Sequence, residues 1–165
     1  MKTLICAADL KRESLCKACK RNFEEGKISA LEIEASRKLD KLNKKFFFLD
    51  LELKSVIELD GTIVLACTGN IGSLIGKGGR TISELGKELG KKCRVIEKSR
   101  DEKKMIQDLI GNISILGINK LFNKGQLEYI VVIKKEDKDK IDYTKETLEK
   151  GISKILDAKT NIEFS

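Results

Sequence analysis

The stretch TGNIGSLIGKGGRTISEL, Thr68 to Leu85, holds five glycines within eleven residues: Gly69, Gly72, Gly76, Gly78 and Gly79. The apolar run Thr62 to Cys67 precedes it. A helical stripe of Ile82, Leu85 and Leu89 follows. Glycine costs about 0.5–1 kcal/mol relative to alanine inside regular structure. Such a cluster at one strand-to-helix junction implies a task that side chains would obstruct.

The surrounding pattern sets the context. Ser29-Ala-Leu-Glu32 is a capping box, with Ile28 and Ile33 placed for a hydrophobic staple, and it predicts a helix over about Ser29 to Asn43. Leu49, Leu51 and Leu53 alternate with Asp50, Glu52 and Lys54, which predicts a half-buried strand. Asp60-Gly61 signals a tight hairpin into the strand Thr62 to Cys67. Gly90 is placed as a helix C-cap before a strand over Cys93 to Ile96. A second series follows. Ser99-Arg-Asp-Glu102 reads as another capping box, before a helix bearing Met105, Ile106, Leu109 and Ile110. NISILGI and QLEYIVVI read as strands joined around Asn123-Lys-Gly125. A helix over about Thr144 to Asp157 and the strand TNIEF complete it. Both series run α-β-β-α-β, and the first carries an extra short helix before its glycines, so the chain reads as a degenerate repeat.

Three phosphate-binding motifs compete for the glycines. A Walker A loop needs four residues between its glycines and a hydroxyl after its lysine. Gly72-Ser-Leu-Ile-Gly76-Lys77-Gly78 has three and a glycine. A dinucleotide fingerprint fails because Thr81 stands where the third glycine belongs and a hairpin precedes the loop. The remaining motif fits. Ile75-Gly76-Lys77-Gly78-Gly79-Arg80-Thr81-Ile82 matches I-G-x-x-G-x-x-I, the signature of KH domains. On this reading Gly76 and Gly79 remove Cβ atoms so that a sugar-phosphate strand can lie against the loop. The free N–H groups of the following helix favour an anion, and Lys77, Gly78 and Arg80 complete the clamp. Bases would face an apolar groove beside that helix, with Leu74, Ile75, Ile82 and Leu85 as candidates. Lys87, Lys91, Lys92 and Arg94 are further candidates for phosphate contact.

LIGKGGRTISELGKELGKKCRVIE, Leu74 to Glu97, resembles the KH units of archaeal NusA-like proteins, and the resemblance extends weakly to the C-terminus. It implies an α+β chain of tandem type II KH units (α-β-β-α-α-β), each a small three-stranded sheet with helices on one face. The expected division is a Cys-containing segment over 1–27, a KH domain with the GKGG loop over 28–99, and a degenerate KH-like domain without G-x-x-G over 100–165. It also implies single-stranded RNA as ligand and a cytoplasmic role in transcription elongation or termination beside RNA polymerase. A ribosome-assembly or translation factor would use the same loop, and an adapter for other proteins could keep the fold without RNA. The second unit has KKEDKDKID, residues 134–142, where its loop belongs, a charge run that reads as a solvated loop.

Charge agrees with a polyanion partner. Formal net charge is +7, and residues 69–99 hold seven basic against three acidic side chains. The chain has no histidine, which removes Ser-His and Cys-His dyads and histidine metal sites, and no nucleophile-base pair stands out. We therefore expect no enzyme and no small-molecule substrate. No apolar run suits a signal peptide or a membrane span, so a reducing compartment and no membrane partner are expected.

Five cysteines remain. Cys16-Lys-Ala-Cys19 has metal-ligand spacing, and Cys6 lies ten residues before it. These three are candidate ligands of a structural zinc ion, which needs a fourth. Asp9, or a thiol from another chain, would supply it. The βαβ context of a thioredoxin-like motif is missing. Cys67 and Cys93 fall in expected strands and read as core residues.

Overall fold

The computed structural model describes all residues, Met1–Ser165. It is a mixed α+β structure with six α-helices and two three-stranded sheets. The chain divides into two compact units, Met1–Glu97 and Lys98–Ser165. No helix is long and apolar enough to cross a membrane.

The first unit contains α1 (Lys17–Glu24), α2 (Ala30–Phe46), β1 (Leu51–Leu59), β2 (Thr62–Gly69), α3 (Ile71–Ile75), a 3-10 turn (Lys77–Gly79), α4 (Arg80–Leu89) and β3 (Lys92–Glu97). Its sheet order is β1-β2-β3, with β1 and β2 antiparallel and β2 and β3 parallel. The capping box forms: Ser29 Oγ accepts from Glu32 N, and Glu32 Oε2 accepts from Ser29 N at 2.9 Å. Helix α2 runs one turn past the expected end, to Phe46, because Phe47 takes the left-handed cap there. Asp60 and Gly61 both adopt positive φ, the I′ geometry that matches strand twist.

Strand β1 departs from the simple alternation. Leu49 lies before it and is 72% exposed, because Asp50 turns the chain with a positive φ. A bulge at Lys54 then shifts the pattern by one residue, so Leu51, Leu53 and Val56 join one cluster. They pack with Ile63, Leu65 and Cys67 of β2 and with Leu39 of α2 and Leu85 of α4. Each such leucine contributes about 1.5–3 kcal/mol when fully buried. Just past the bulge, Val56 N donates to Oε1 of buried Glu32 at 3.1 Å. One carboxylate thus ties the start of α2 to the sheet.

The segment before α1 is part of this unit. Lys2 forms a parallel bridge beside β1, donating to Leu51 O at 2.8 Å and accepting from Leu53 N at 2.9 Å. Ile5, Cys19, Ile28 and Ile33 form a second small core, which includes the staple pair around Ser29.

The second unit contains α5 (Glu102–Ile110), β4 (Ile115–Asn123), β5 (Gln126–Ile133), a 3-10 helix (Lys135–Lys140), α6 (Lys145–Leu156) and β6 (Lys159–Phe164). Its sheet order is β4-β5-β6, again one antiparallel and one parallel pair. Its first strand is also bulged near its start, between Ile115 and Gly117. The first helix begins later than expected. Asp101, not Ser99, is the cap, accepting from Lys104 N at 3.0 Å. Lys124 and Gly125 make the hairpin turn with positive φ. The charge run 134–142 is not a purely solvated loop. Asp137 is buried; its Oδ2 accepts from Ser114 N at 2.8 Å and its Oδ1 from Lys140 at 2.6 Å. These bonds, the Lys140 ammonium first, hold its carboxyl down at about 2.

Candidate nucleic-acid interface

Helix α3 is capped by Asn70, whose Oδ1 accepts from Ser73 N at 3.3 Å. The chain then turns through Gly76, runs through the 3-10 turn and enters α4. The glycines do different work. A Cβ on Gly69 would fall 1.5 Å from Asp50 O, so the chain crosses itself there. A Cβ on Gly76 would fall 2.2 Å from Thr81 Oγ1. That side of Gly76 faces the protein's own buried Thr81, which corrects the expectation that Gly76 clears space for a ligand. At Gly78 and Gly79 the surroundings are open: a Cβ on either meets nothing within 4 Å. The open side of the loop is therefore its second half.

The start of α4 differs from that of every other α-helix. Cys16, Ser29, Asn70, Asp101 and Thr144 each cap their helix with a side chain. Gly79 caps α4 with none, in the left-handed conformation. The 3-10 turn meets part of this start, with Arg80 N donating to Lys77 O, and the helix dipole adds partial positive charge there.

Charge on α4 is sorted by face. Glu84 pairs with Lys45 at 2.6 Å, and Glu88 with Lys41 at 3.1 Å and Lys38 at 3.4 Å, all from α2. Lys41, then Lys38, holds the Glu88 carboxyl below its usual range. Both acids are thereby turned to α2. Lys77, Arg80, Lys87 and Lys92 are exposed with no acidic partner, while Lys91 pairs with Glu58 at 2.5 Å. Arg94 is half-buried within β3 and stands in register with Val64.

A groove of about 510 Å³ follows α4 toward β3, lined by Ile82, Ser83, Gly86, Lys87, Lys92 and Cys93 among others. Gly86 lets the return turn approach closely, since a Cβ there would lie 2.8 Å from Lys91 O. Ile82 lines the groove and Ile75 is 38% exposed at the loop. Leu74 and Leu85 are wholly buried in the core, so the expectation of groove contact fails for both. Ser83, Gly86 and Cys93 were missed as lining residues. The i, i+4 spacing of Ile82 and Gly86 was their only signal.

The second unit offers no equivalent loop. Thr144 Oγ1 accepts from Thr147 N at 3.2 Å and closes the start of α6. The hollow between α6 and β6, about 630 Å³, is lined by both signs of charge, Glu146 and Glu149 with Lys150, Lys154 and Lys159.

The cysteines separate into two kinds. Cys67 and Cys93 are buried, and burial raises their thiols to about 12 and about 11, so both stay protonated. Cys6, Cys16 and Cys19 converge with Asp9, their ligand-type atoms all within 4.8 Å of one another. Within this group burial, above all, pushes the Cys19 thiol to about 12, and bonding from Cys19 first holds the Asp9 carboxyl at about 2.

No curated protein sequence matches the chain. Among solved structures, one titled "Crystal structure of APE1850" is similar with a TM-score of 0.57 and 22% identity, covering 78% of this chain and 96% of that one. At that identity the likeness speaks for the fold alone. The sequence itself matches the KH domain family over residues 40–136, from within α2 to the 3-10 helix after β5. KH domains are non-catalytic modules that bind RNA by clamping backbone at a G-x-x-G loop. The match takes in the uncapped glycine start of α4 and more than half of the sequence, and the chain belongs to the KH domain family.

Proposed function

We propose that this protein binds single-stranded RNA through its first unit and acts as a NusA-like factor in transcription elongation or termination, in the cytoplasm, beside RNA polymerase. The sugar-phosphate strand runs over Lys77, Gly78, Gly79 and Arg80, and bases enter the groove beside Ile82. The two units are a tandem of type II KH folds over 28–99 and 100–165. In the second, the 3-10 helix that carries buried Asp137 stands where a phosphate loop belongs.

One observation carries this reading: α4 alone starts without a side-chain cap, from a glycine with open space around it. A polyanionic strand suits this start, because the helix dipole and the exposed Lys77 and Arg80 favour its charge.

The test is the double variant Lys77→Asp, Gly78→Asp. Gly78 has φ 62 and ψ 22, a left-handed conformation that aspartate adopts more readily than most residues. Two anions beside phosphate should weaken binding of an unstructured RNA by about 100-fold or more, with an unchanged circular dichroism spectrum. Unchanged affinity would leave a KH fold that serves as a protein adapter. Copurification with ribosomal subunits and not RNA polymerase would move the protein to translation.

A further inference from the structure

We propose that Cys6, Asp9, Cys16 and Cys19 form a mononuclear, tetrahedral zinc site that cross-links the segment from Cys6 to Cys19. This proposal does not rest on the RNA reading. The site lies outside the residues that match the KH domain family, which begin at 40.

The argument starts from spacing. Cys6-Ala-Ala-Asp9 and Cys16-Lys-Ala-Cys19 are two copies of one ligand-x-x-ligand pattern. Each folds into a tight turn. Asp9 N donates to Cys6 O at 3.0 Å, and Cys19 N donates to Cys16 Sγ at 3.5 Å. Two such turns facing each other present four donors to one point, the arrangement of structural zinc sites.

The distances agree with a single ion. Ligand atoms about 2.3 Å from a tetrahedral zinc stand about 3.8 Å apart. Cys6 Sγ and Cys16 Sγ are 3.9 Å apart, and all four donors lie within 4.8 Å of one another. An iron–sulfur cluster, with several irons between its ligands, would spread them more widely. Three soft thiolates and one carboxylate suit zinc far better than calcium or magnesium.

Burial supplies an independent reason. Asp9 is wholly buried. Its carboxylate accepts from Cys16 N at 3.0 and 3.1 Å, and no lysine or arginine pairs with it. Buried carboxylates are costly unless paired with a cation or a metal. Arg37 of α2 is close, but it donates to the backbone, to Asp9 O at 3.2 Å and Glu13 O at 3.0 Å. It clamps the loop between the two turns and leaves the carboxylate for another cation. Cys6 is exposed, Cys16 half-buried and Cys19 buried, so an ion can enter from one side and be closed off from the other.

The test uses the full chain, purified under reducing conditions, with zinc and cobalt alone as probes. We expect one zinc per chain by elemental analysis. Cobalt should give the intense visible band of a tetrahedral ion with thiolate charge transfer. The variant Asp9→Asn should weaken zinc binding by about tenfold or more, and Cys16→Ala with Cys19→Ala should abolish it. Cys67→Ala, a core thiol outside the cluster, should retain it. If the cysteine variants do not fold, the cobalt spectrum of the unaltered chain decides: a pale octahedral spectrum overturns the site. Absence of zinc after reconstitution overturns it too, as does a Cys6–Cys16 disulfide in place of metal, or zinc that survives loss of all three cysteines.

Discussion

Gly76 and Thr81 are locked together: a Cβ on Gly76 would lie 2.2 Å from Thr81 Oγ1 and 2.9 Å from Thr81 N. The first glycine of the loop is therefore required by the protein's own packing, and the last lies on an open face. Gly76 has φ +74 and Gly79 φ +76, so both carry the same backbone demand, and only their surroundings separate them.

This division predicts unequal costs. Gly76→Ala should destabilise the first unit by about 2–4 kcal/mol, because a backbone atom stands in the way and strain adds to it. Gly79→Ala should cost about 1 kcal/mol, the price of a left-handed non-glycine residue, while placing a methyl group on the proposed phosphate path. Urea midpoints read the first effect and RNA titration the second. Equal losses of stability would refute the division.

Glu32 joins two structures with one carboxylate, the cap of α2 and the bulge of β1. Glu32→Ala should cost about 2–4 kcal/mol, from two charge-assisted bonds lost. Glu32→Gln keeps one acceptor oxygen and should cost roughly half as much. Chemical denaturation of the two variants checks the order.

Asp137 gives the second unit an acid limit. Its carboxyl is depressed from 3.8 to about 2 by Lys140 and then Ser114 N–H. A depressed folded value means that the ionised form stabilises the fold. That stabilisation is complete above about 4 and is lost as pH falls through about 2. Asp137→Asn should therefore be less stable than the parent at neutral pH, and the gap should narrow between pH 4 and pH 2. A gap independent of pH in thermal melts would assign Asp137 a role of shape alone.

Salt should weaken RNA binding in proportion to the phosphates met. Lys77, Arg80, Lys87 and Lys92 are the exposed, unpaired bases around α4. If each neutralises one phosphate, log affinity should fall with log salt at about −0.7 per phosphate, a slope of about −3. Removing Lys87 should reduce that slope by about 0.7, whereas Lys91→Ala, which starts from an ion pair with Glu58, should reduce it less. A flat response would remove phosphate from the interface.

Much of the fold was legible because its signals are short-range. The Ser29–Glu32 box, the Asp60-Gly61 turn, the Gly90 cap and the Lys124-Gly125 turn are all decided by atoms within about four residues of one another. So was the loop between α3 and α4. Where the reading slipped, something local had a competitor. Asp101 displaced Ser99 as a cap, since either oxygen can accept the same class of N–H, and the bulge at Lys54 interrupted an alternation that Leu49 had seemed to begin.

By itself the sequence determined the order of elements and the place of the glycine loop, because capping, turns and periodicity are settled between near neighbours. Only the tertiary structure decided which glycine faces inward, how Glu84 and Glu88 are turned to α2, that Asp137 is buried, and that Asp9 stands with three thiols. Most of these join elements far apart along the chain, and the path between them is set by how helices pack on a sheet. The inward turn of Gly76 needs the exact placement of a residue five positions on, which no spacing rule encodes.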